Sequence, residues 1–252
     1  MISQNSNLSA VVLGATGSVG TALARQLADD GARLLLAGRN AETLQELGRE
    51  LDAPTAVVDA HRPETFPAAF RRAGESFGEI HAVANCIGSV LLKPAHATSD
   101  DDWAEILQVN AFSSFAIIRE AAAAMRSTGG NIVLFSSAAV RIGLPNHEAI
   151  AAAKGAVEGL VRSAAATYAA RGIRVNAIAP GLVRSEMTRR IWENDASAAA
   201  SVAMHALGRL GEPSDIARLA AWLMDPDNSW TTGQVIGVDG GLSSVLARRK
   251  GS

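Results

Sequence analysis

Short apolar runs at 9–13, 33–37, 55–58, 81–84, 131–135, 174–178 and 234–238 are separated by longer stretches rich in Ala, Leu and Arg. Most of the runs lack a strict two-residue alternation, the pattern of strands covered on both faces in a parallel sheet. The stretches between them predict helices over 19–30, 41–51, 63–77, 100–127, 148–170 and 213–224. Strand alternating with helix implies crossover connections and an α/β class: one doubly wound parallel sheet of about seven strands. No Pro-, Gly- or Ser-rich linker, charge block or repeat divides the chain, so a single domain over 1–252 is expected. The segment 184–208 is the long insertion between strands. With Met187, Trp192 and Met204 spread along it and no helix assigned, it reads as a candidate lid.

The first run leads into Gly14-Ala15-Thr16-Gly17-Ser18-Val19-Gly20, and a helical stretch follows. Glycines at such a turn permit positive φ or close approach of another backbone, and the N–H groups that open the helix then face an anion. At the first strand-to-helix junction of a doubly wound chain, that anion is the pyrophosphate of a dinucleotide. About 20 residues further on, a carboxylate would grip the adenosine ribose of NAD. The second strand ends instead in Ala37-Gly38-Arg39-Asn40. Arg39 can pair bidentately with a 2′-phosphate and Gly38 leaves room for it, so NADP is expected, with NADPH preferred over NADH.

Composition narrows the partners. The 252 residues are 48% hydrophobic, enough for one large core, and the formal charge of -2 offers no surplus for nucleic acid or anionic lipid. No unbroken apolar stretch of about 18 residues exists, so no membrane partner is expected. The single cysteine, Cys86, cannot form an internal disulfide, and residues 1–7 lack the features of a signal peptide, which together point to the cytoplasm. Residues 248–252 form no lipidation box, and no metal-ligand set is assigned.

Several motifs in order along about 8–242 resemble the short-chain dehydrogenase/reductase family, a Rossmann-type fold. The loop from Gly14 to Gly20 is similar to its glycine-rich cofactor turn, although Ser18 stands where most members carry the middle glycine and Gly17 fits the spacing of the extended branch. Thr16, Ser18 and Val19 fall within that cofactor turn. The resemblance makes Asp59-Ala60 the adenine contact and Asn85-Cys86-Ile87-Gly88 the motif that steadies the sheet beside the cofactor. It makes Asn110 the helix asparagine that organises a relay water, and 131–137 the strand ending in the catalytic Ser137. Pro180, Gly181 and Val183 fall in the nicotinamide-facing loop, and 233–241 resembles a last strand that takes part in oligomer packing, so a homo-oligomer, dimer or tetramer, is implied.

One departure bears on the chemistry. In the family a Tyr gives the proton to a carbonyl while a Lys four residues later lowers the phenol pKa, and the Tyr lies thirteen residues after the Ser. Counting forward from Ser137 and back from Lys154 both reach Ile150, whose side chain exchanges no proton. The one tyrosine, Tyr168, lies about 20 Å along the same predicted helix from Lys154. Losing a positioned general acid costs typically 10²–10⁴-fold. His147, seven residues before Lys154, shares its face if the helix already starts there, and is the first candidate replacement. Glu148 and an Asn110-linked water are the others. Lys154, one of three lysines against twenty arginines, keeps the register in which the family's ammonium holds the nicotinamide ribose.

Three functions stay open on the sequence. The first is an NADP-dependent oxidoreductase on a small or medium carbonyl or alcohol, with Ser137 polarising the carbonyl. The second is a redox-inactive NADPH-binding subunit or sensor in a mixed oligomer, which needs no Tyr. The third is a dehydratase or isomerase using Ser137 and Lys154. Substrate choice would rest on 89–92, 140–147 and the 184–208 segment.

Overall fold

A computed structural model describes residues 8–246. The readings made on 1–7, on the terminal stretch 248–252 and on Lys250 lie outside the described residues.

Seven strands form one fully parallel sheet, β1 (Ser9–Leu13), β2 (Arg33–Gly38), β3 (Thr55–Val57), β4 (Ala82–Asn85), β5 (Gly130–Phe135), β6 (Ile173–Pro180) and β7 (Val235–Val238), in the order 3-2-1-4-5-6-7. Among the described residues nine α-helices accompany them: α1 (Ser18–Asp29), α2 (Ala41–Glu50), α3 (Phe66–Phe77), α4 (Asp100–Leu107), α5 (Ser113–Ala124), α6 (Glu148–Tyr168), α7 (Arg189–Trp192), α8 (Asp195–Met204) and α9 (Pro213–Met224). Successive strand residues point to opposite faces. Val11, Leu13, Leu35, Ile132 and Leu134 therefore pack with α3, α5 and α6. Ala10, Val12, Leu34, Leu36 and Val133 pack with α1, α2 and α9. Both faces are covered, which is why the strands read as continuous apolar runs.

The expected helix over 100–127 is two helices. Between α4 and α5 lies a π turn at Gln108–Phe112, in which Ser113 N–H reaches Gln108 O five residues back. Two helices, α7 and α8, occupy the 184–208 segment where none was assigned. Asn194 caps α8 by accepting from Ser197 N at 3.0 Å. The stretch predicted as helix from Pro63 begins with a 3-10 turn (Pro63–Thr65) before α3. No helix among the described residues is long and apolar enough to cross a membrane.

The lower end of the sheet is stitched by a buried arginine. Arg174 on β6 donates to Thr231 O (2.7 Å), Leu223 O (3.0 Å) and Asp225 O (3.2 Å), so one guanidinium serves the last carbonyls of α9 and the loop before β7. Burial lowers its pKa and the nearby Asp225 opposes that shift. Arg174→Met strands those carbonyls, and a loss of about 2–4 kcal/mol in urea unfolding is expected. A change below about 0.5 kcal/mol would show the stitch to be ornamental.

Candidate active site

The strand order reverses between β1 and β4, the switch point outside whose carboxyl ends open α/β sheets have their ligand crevice. Gly14 has φ 72°, and a Cβ on it would stand 2.7 Å from the Cys86 carbonyl carbon, so the two loops meet at this glycine. A Cβ on Gly20 would stand 2.1 Å from Gly14 O. Gly17 is the N-cap of α1 and has no side chain to satisfy the opening N–H groups of that helix. Uncapped donors above a backbone cradle that excludes Cβ atoms fit a pyrophosphate. Thr16 lies against Gly38: a Cβ there would meet its Oγ1 at 3.3 Å, so the room that Gly38 leaves is bordered by Thr16. Arg39 follows, exposed and in no ion pair among the described residues. Val19 lies half-buried in the first turn of α1.

Further along the crevice, Asp59 Oδ1 accepts from His61 N at 3.0 Å, and Ala60 is buried, its carbonyl taken by Gln108 Nε2 at 2.7 Å. Asn85, at the end of β4, accepts from Ile87 N (3.1 Å) and donates to Ser114 Oγ (3.2 Å), whose hydroxyl donates to Asn110 O (2.6 Å). That chain ties the β4 loop to the start of α5. The β4 loop also carries Cys86, whose thiol burial pushes up to about 12, leaving a neutral group there.

Asn110 lies inside the π turn and is fully buried. Its Nδ2 donates to Ile106 O (3.0 Å) and to Ser89 Oγ (3.1 Å), while its Oδ1 accepts from Ser89 N (3.3 Å). A Cβ placed on Gly88 would stand 3.2 Å from Asn110 Oδ1 and 3.5 Å from Lys154 Nζ, so both groups converge on that glycine. Lys154 is 8% exposed and donates to Phe135 O at 2.9 Å. With one protein acceptor for three protons, two remain to be offered to a ligand. Desolvation by burial lowers the Lys154 pKa to about 8.

Ser137 ends the β5 segment half-buried, its Oγ accepting from Ala139 N at 3.2 Å. The adjacent Ser136 is turned away, donating to Glu158 Oε1 at 2.8 Å. Ile150 lies one turn before Lys154 on α6, 4% exposed, packed with Ile106, Ala149 and Ala153 against Val90, Leu91 and Leu107. Helix α6 starts at Glu148, so His147 is its N-cap rather than part of it, with Nδ1 2.7 Å from Pro145 O. Seven residues of helix would place it about 10 Å along the axis from Lys154. The shared-face condition set for His147 is not met. Glu148 accepts from Ala95 N at 3.4 Å, which ties it to the loop before α4. Tyr168 is the last residue of α6 and packs on the core with Arg171 over its ring.

Pro180 ends β6, Gly181 follows, and Val183 is buried and bridged to Gly211. The insertion then crosses the crevice. Glu186 N donates to Ser18 Oγ at 3.2 Å, and Met187 Cε would lie 3.9 Å from a Cβ on Gly88. Ser18, in the glycine position, thus holds the insertion. Ser89 and Met187 fall in the 89–92 and 184–208 stretches expected to bear on substrate choice, whereas Ser114 and Glu158 were not anticipated. Each acts through a partner distant in sequence, and no local spacing announces it.

A family profile described as enoyl-(acyl carrier protein) reductase matches residues 14–243. The galactitol 2-dehydrogenase (L-tagatose-forming) of Cereibacter sphaeroides is 37% identical over 240 residues, covering 93% of this chain and 94% of that protein. A short-chain type dehydrogenase/reductase from Mycobacterium ulcerans superposes with a TM-score of 0.90 at 28% identity, over 94% of this chain and 90% of that one. A variant of the actinorhodin polyketide ketoreductase, solved with NADPH, gives 0.89 at 25% identity, over 97% of this chain and 100% of that one. With the sheet order, the glycine cradle at the switch point and the Asn110–Gly88–Lys154 convergence, these matches establish that the chain belongs to the short-chain dehydrogenase/reductase family of oxidoreductases.

Proposed function

We propose that the chain is an NADP-dependent oxidoreductase that interconverts a small or medium carbonyl compound and its alcohol with an atypical proton source, Ile150 standing where the family has its tyrosine. The observation that carries this reading is the convergence of Lys154 Nζ and Asn110 Oδ1 on Gly88, with two lysine protons uncommitted. When bound, the nicotinamide cofactor supplies the hydride. Arg39 and Thr16 would hold the 2′-phosphate end, Asp59 and Ala60 the adenine, and Gly14, Gly17, Ser18, Val19 and Gly20 the pyrophosphate. Asn85 keeps the β4 loop in place, Lys154 would take the ribose hydroxyls, and Pro180, Gly181 and Val183 would border the nicotinamide. Ser137 is assigned to the carbonyl oxygen. The 184–208 segment serves as lid within a single domain.

The proton is assigned to the Lys154 ammonium or to water ordered on Asn110 and Ser89, ahead of His147, which would act only after a movement of the helix start. A lysine pKa of about 8 permits release near neutrality. Carbonyl reduction is then expected to fall as pH rises through about 8, where the ammonium is lost.

The test is the purified chain with NADPH and a panel of ketones, quinones and aldehydes, followed by loss of nicotinamide absorbance. Turnover removed by Ser137→Ala supports the reading. Saturable NADPH binding with no turnover favours the second reading, a redox-inactive NADPH-binding subunit or sensor, which the burial of Ile150 among apolar groups makes specific. Arg39→Ala is expected to weaken NADPH about 10–100-fold and leave NADH nearly unchanged, as for loss of one charge-assisted phosphate contact. Equal loss for both cofactors would remove the NADP assignment. Assembly as a homo-oligomer is part of the proposal, since Phe112 and Phe115 lie 59% and 51% exposed on the same stretch of the π turn and α5.

A further inference from the structure

His205 is buried, 3% exposed, at the end of α8. Its Nδ1 lies 2.6 Å from Ser201 O, and its Nε2 lies 3.2 Å from Leu182 N. Ser201 O can only accept and Leu182 N–H can only donate, so the imidazole is the neutral tautomer with its proton on Nδ1. One ring thereby joins the lid helix to the loop proposed to border the nicotinamide. The fit is close: a Cβ on Gly181 would stand 2.6 Å from Nε2, so the loop admits the ring because that residue is glycine. The same stretch is fastened on its far side by Leu207 N to Gly240 O at 3.0 Å.

We propose that His205 is a positioning residue for the reaction, its neutral ring setting the 180–183 loop against lid helix α8 and releasing both when the ring gains a second proton. The inference rests on the oxidoreductase reading for its consequence in turnover, and on the geometry alone for the movement of the lid. A second proton on Nε2 puts two N–H groups face to face, and the Leu182 N–H loses its acceptor. The charged group coupled to the ring is Asp239, after β7. Its Oδ1 already accepts from Gly241 N (3.0 Å), and its Oδ2 from Ser243 N (3.0 Å) and the Ser243 hydroxyl. Burial acts to raise the Asp239 carboxyl, but these hydrogen bonds, joined by the charge of His205 when its ring is doubly protonated, outweigh it and hold the group below its usual range. Three of its about four acceptor positions are in use and none takes a proton from the ring, so Asp239 does not replace the lost bond. Arg209 is turned to Asp215 at 2.6 Å and Arg184 to Glu212 at 3.5 Å, so neither opposes the charge.

The experiment uses the full chain without cofactor. Trypsin cleavage at Arg189 and Arg190, both exposed in α7, is timed for wild type, His205→Gln and His205→Leu at about pH 8 and about pH 5.5. Gln offers an acceptor near the Nε2 position and does not titrate. Relative to His205→Gln at the same pH, wild type is expected to be cut equally at the higher pH and at least about fivefold faster at the lower, in keeping with the loss of one hydrogen bond. His205→Leu is expected to be cut faster at both. A wild-type rate that tracks His205→Gln at both pH values overturns the proposal, and this comparison stands even if His205→Leu fails to fold. A parallel titration with NADPH separates the two readings: absence of binding removes the oxidoreductase assignment while the cleavage ratios still decide the role of His205. Where NADPH binds, His205→Gln is expected to hold kcat and KM level on acidification while wild type loses kcat.

Discussion

Ile150→Tyr is expected to raise carbonyl reduction by about 10²–10⁴-fold, the usual contribution of a positioned general acid. The substituted side chain starts one helical turn before Lys154, and Ser137 and Asn110 are already held in place by their own hydrogen bonds. A phenol introduced there would have an ammonium as neighbour, which favours the phenolate and so lowers its pKa. The cost is steric. Ile150 packs tightly among Ile106, Ala149 and Ala153, and a larger ring overfills that cluster by about 1–3 kcal/mol. Val90 and Leu91, which line one side of it, are only partly buried and lie outside any helix or strand, so a folded variant with a lowered melting temperature is expected. The measurement is kcat/KM over the same carbonyl panel, with NADPH affinity determined alongside. If NADPH binds as before and turnover stays flat, the site lacks more than a proton donor, and the redox-inactive reading takes precedence.

Gly20→Ala is expected to abolish useful cofactor binding, by about 100-fold or more, equivalent to about 2.7 kcal/mol. The added methyl would meet Gly14 O at 2.1 Å and Ala15 Cα at 3.0 Å, and both are backbone atoms of the loop that would cradle the pyrophosphate. Relief requires the loop to move off the helix start. Gly17→Ala is the internal control. Its φ of -76° suits any residue, and its added methyl meets only Gly14 O at 3.3 Å, so a change of less than about tenfold is expected. Fluorescence titration with NADPH on both variants makes the comparison. Equal losses at 17 and 20 would show that this loop does not cradle the cofactor as assigned.

Much of the architecture was legible because a fully parallel sheet leaves a coarse mark. Runs such as Ala10-Val11-Val12-Leu13 are apolar at every position, since odd residues face one helix layer and even residues the other. Ser137, Lys154 and Asn110 were singled out through the family resemblance, and the structure brings two of them, Asn110 and Lys154, together at Gly88. What stayed hidden had no periodic signature. The π turn inserts a wider loop of backbone into 100–127 without any Gly or Pro to mark it, and the Asn110 amide takes up Ile106 O there. Helix α8 is mostly alanine and serine with one buried residue, so it shows no apolar stripe, although its Asn194 cap was a readable signal. The helix start at Glu148 was legible, and it decides the condition set for His147: a shared face with Lys154 needed a helix already begun at 147, and His147 is the N-cap instead. His205 matters only through Leu182 and Ser201, one of them 23 residues away.

The contact between Met187 and the glycine on which Asn110 and Lys154 converge sets the order of events. The Met187 thioether lies beside Gly88, and the Glu186–Ser18 hydrogen bond pins the turn that carries it. On the oxidoreductase reading proposed above, a reactant bound for that glycine has to pass the thioether. At this end of the segment the fastening to the glycine loop is one hydrogen bond worth about 1 kcal/mol, so on the same reading thermal motion loosens it often and visitors are screened by shape at Met187 before they meet Lys154.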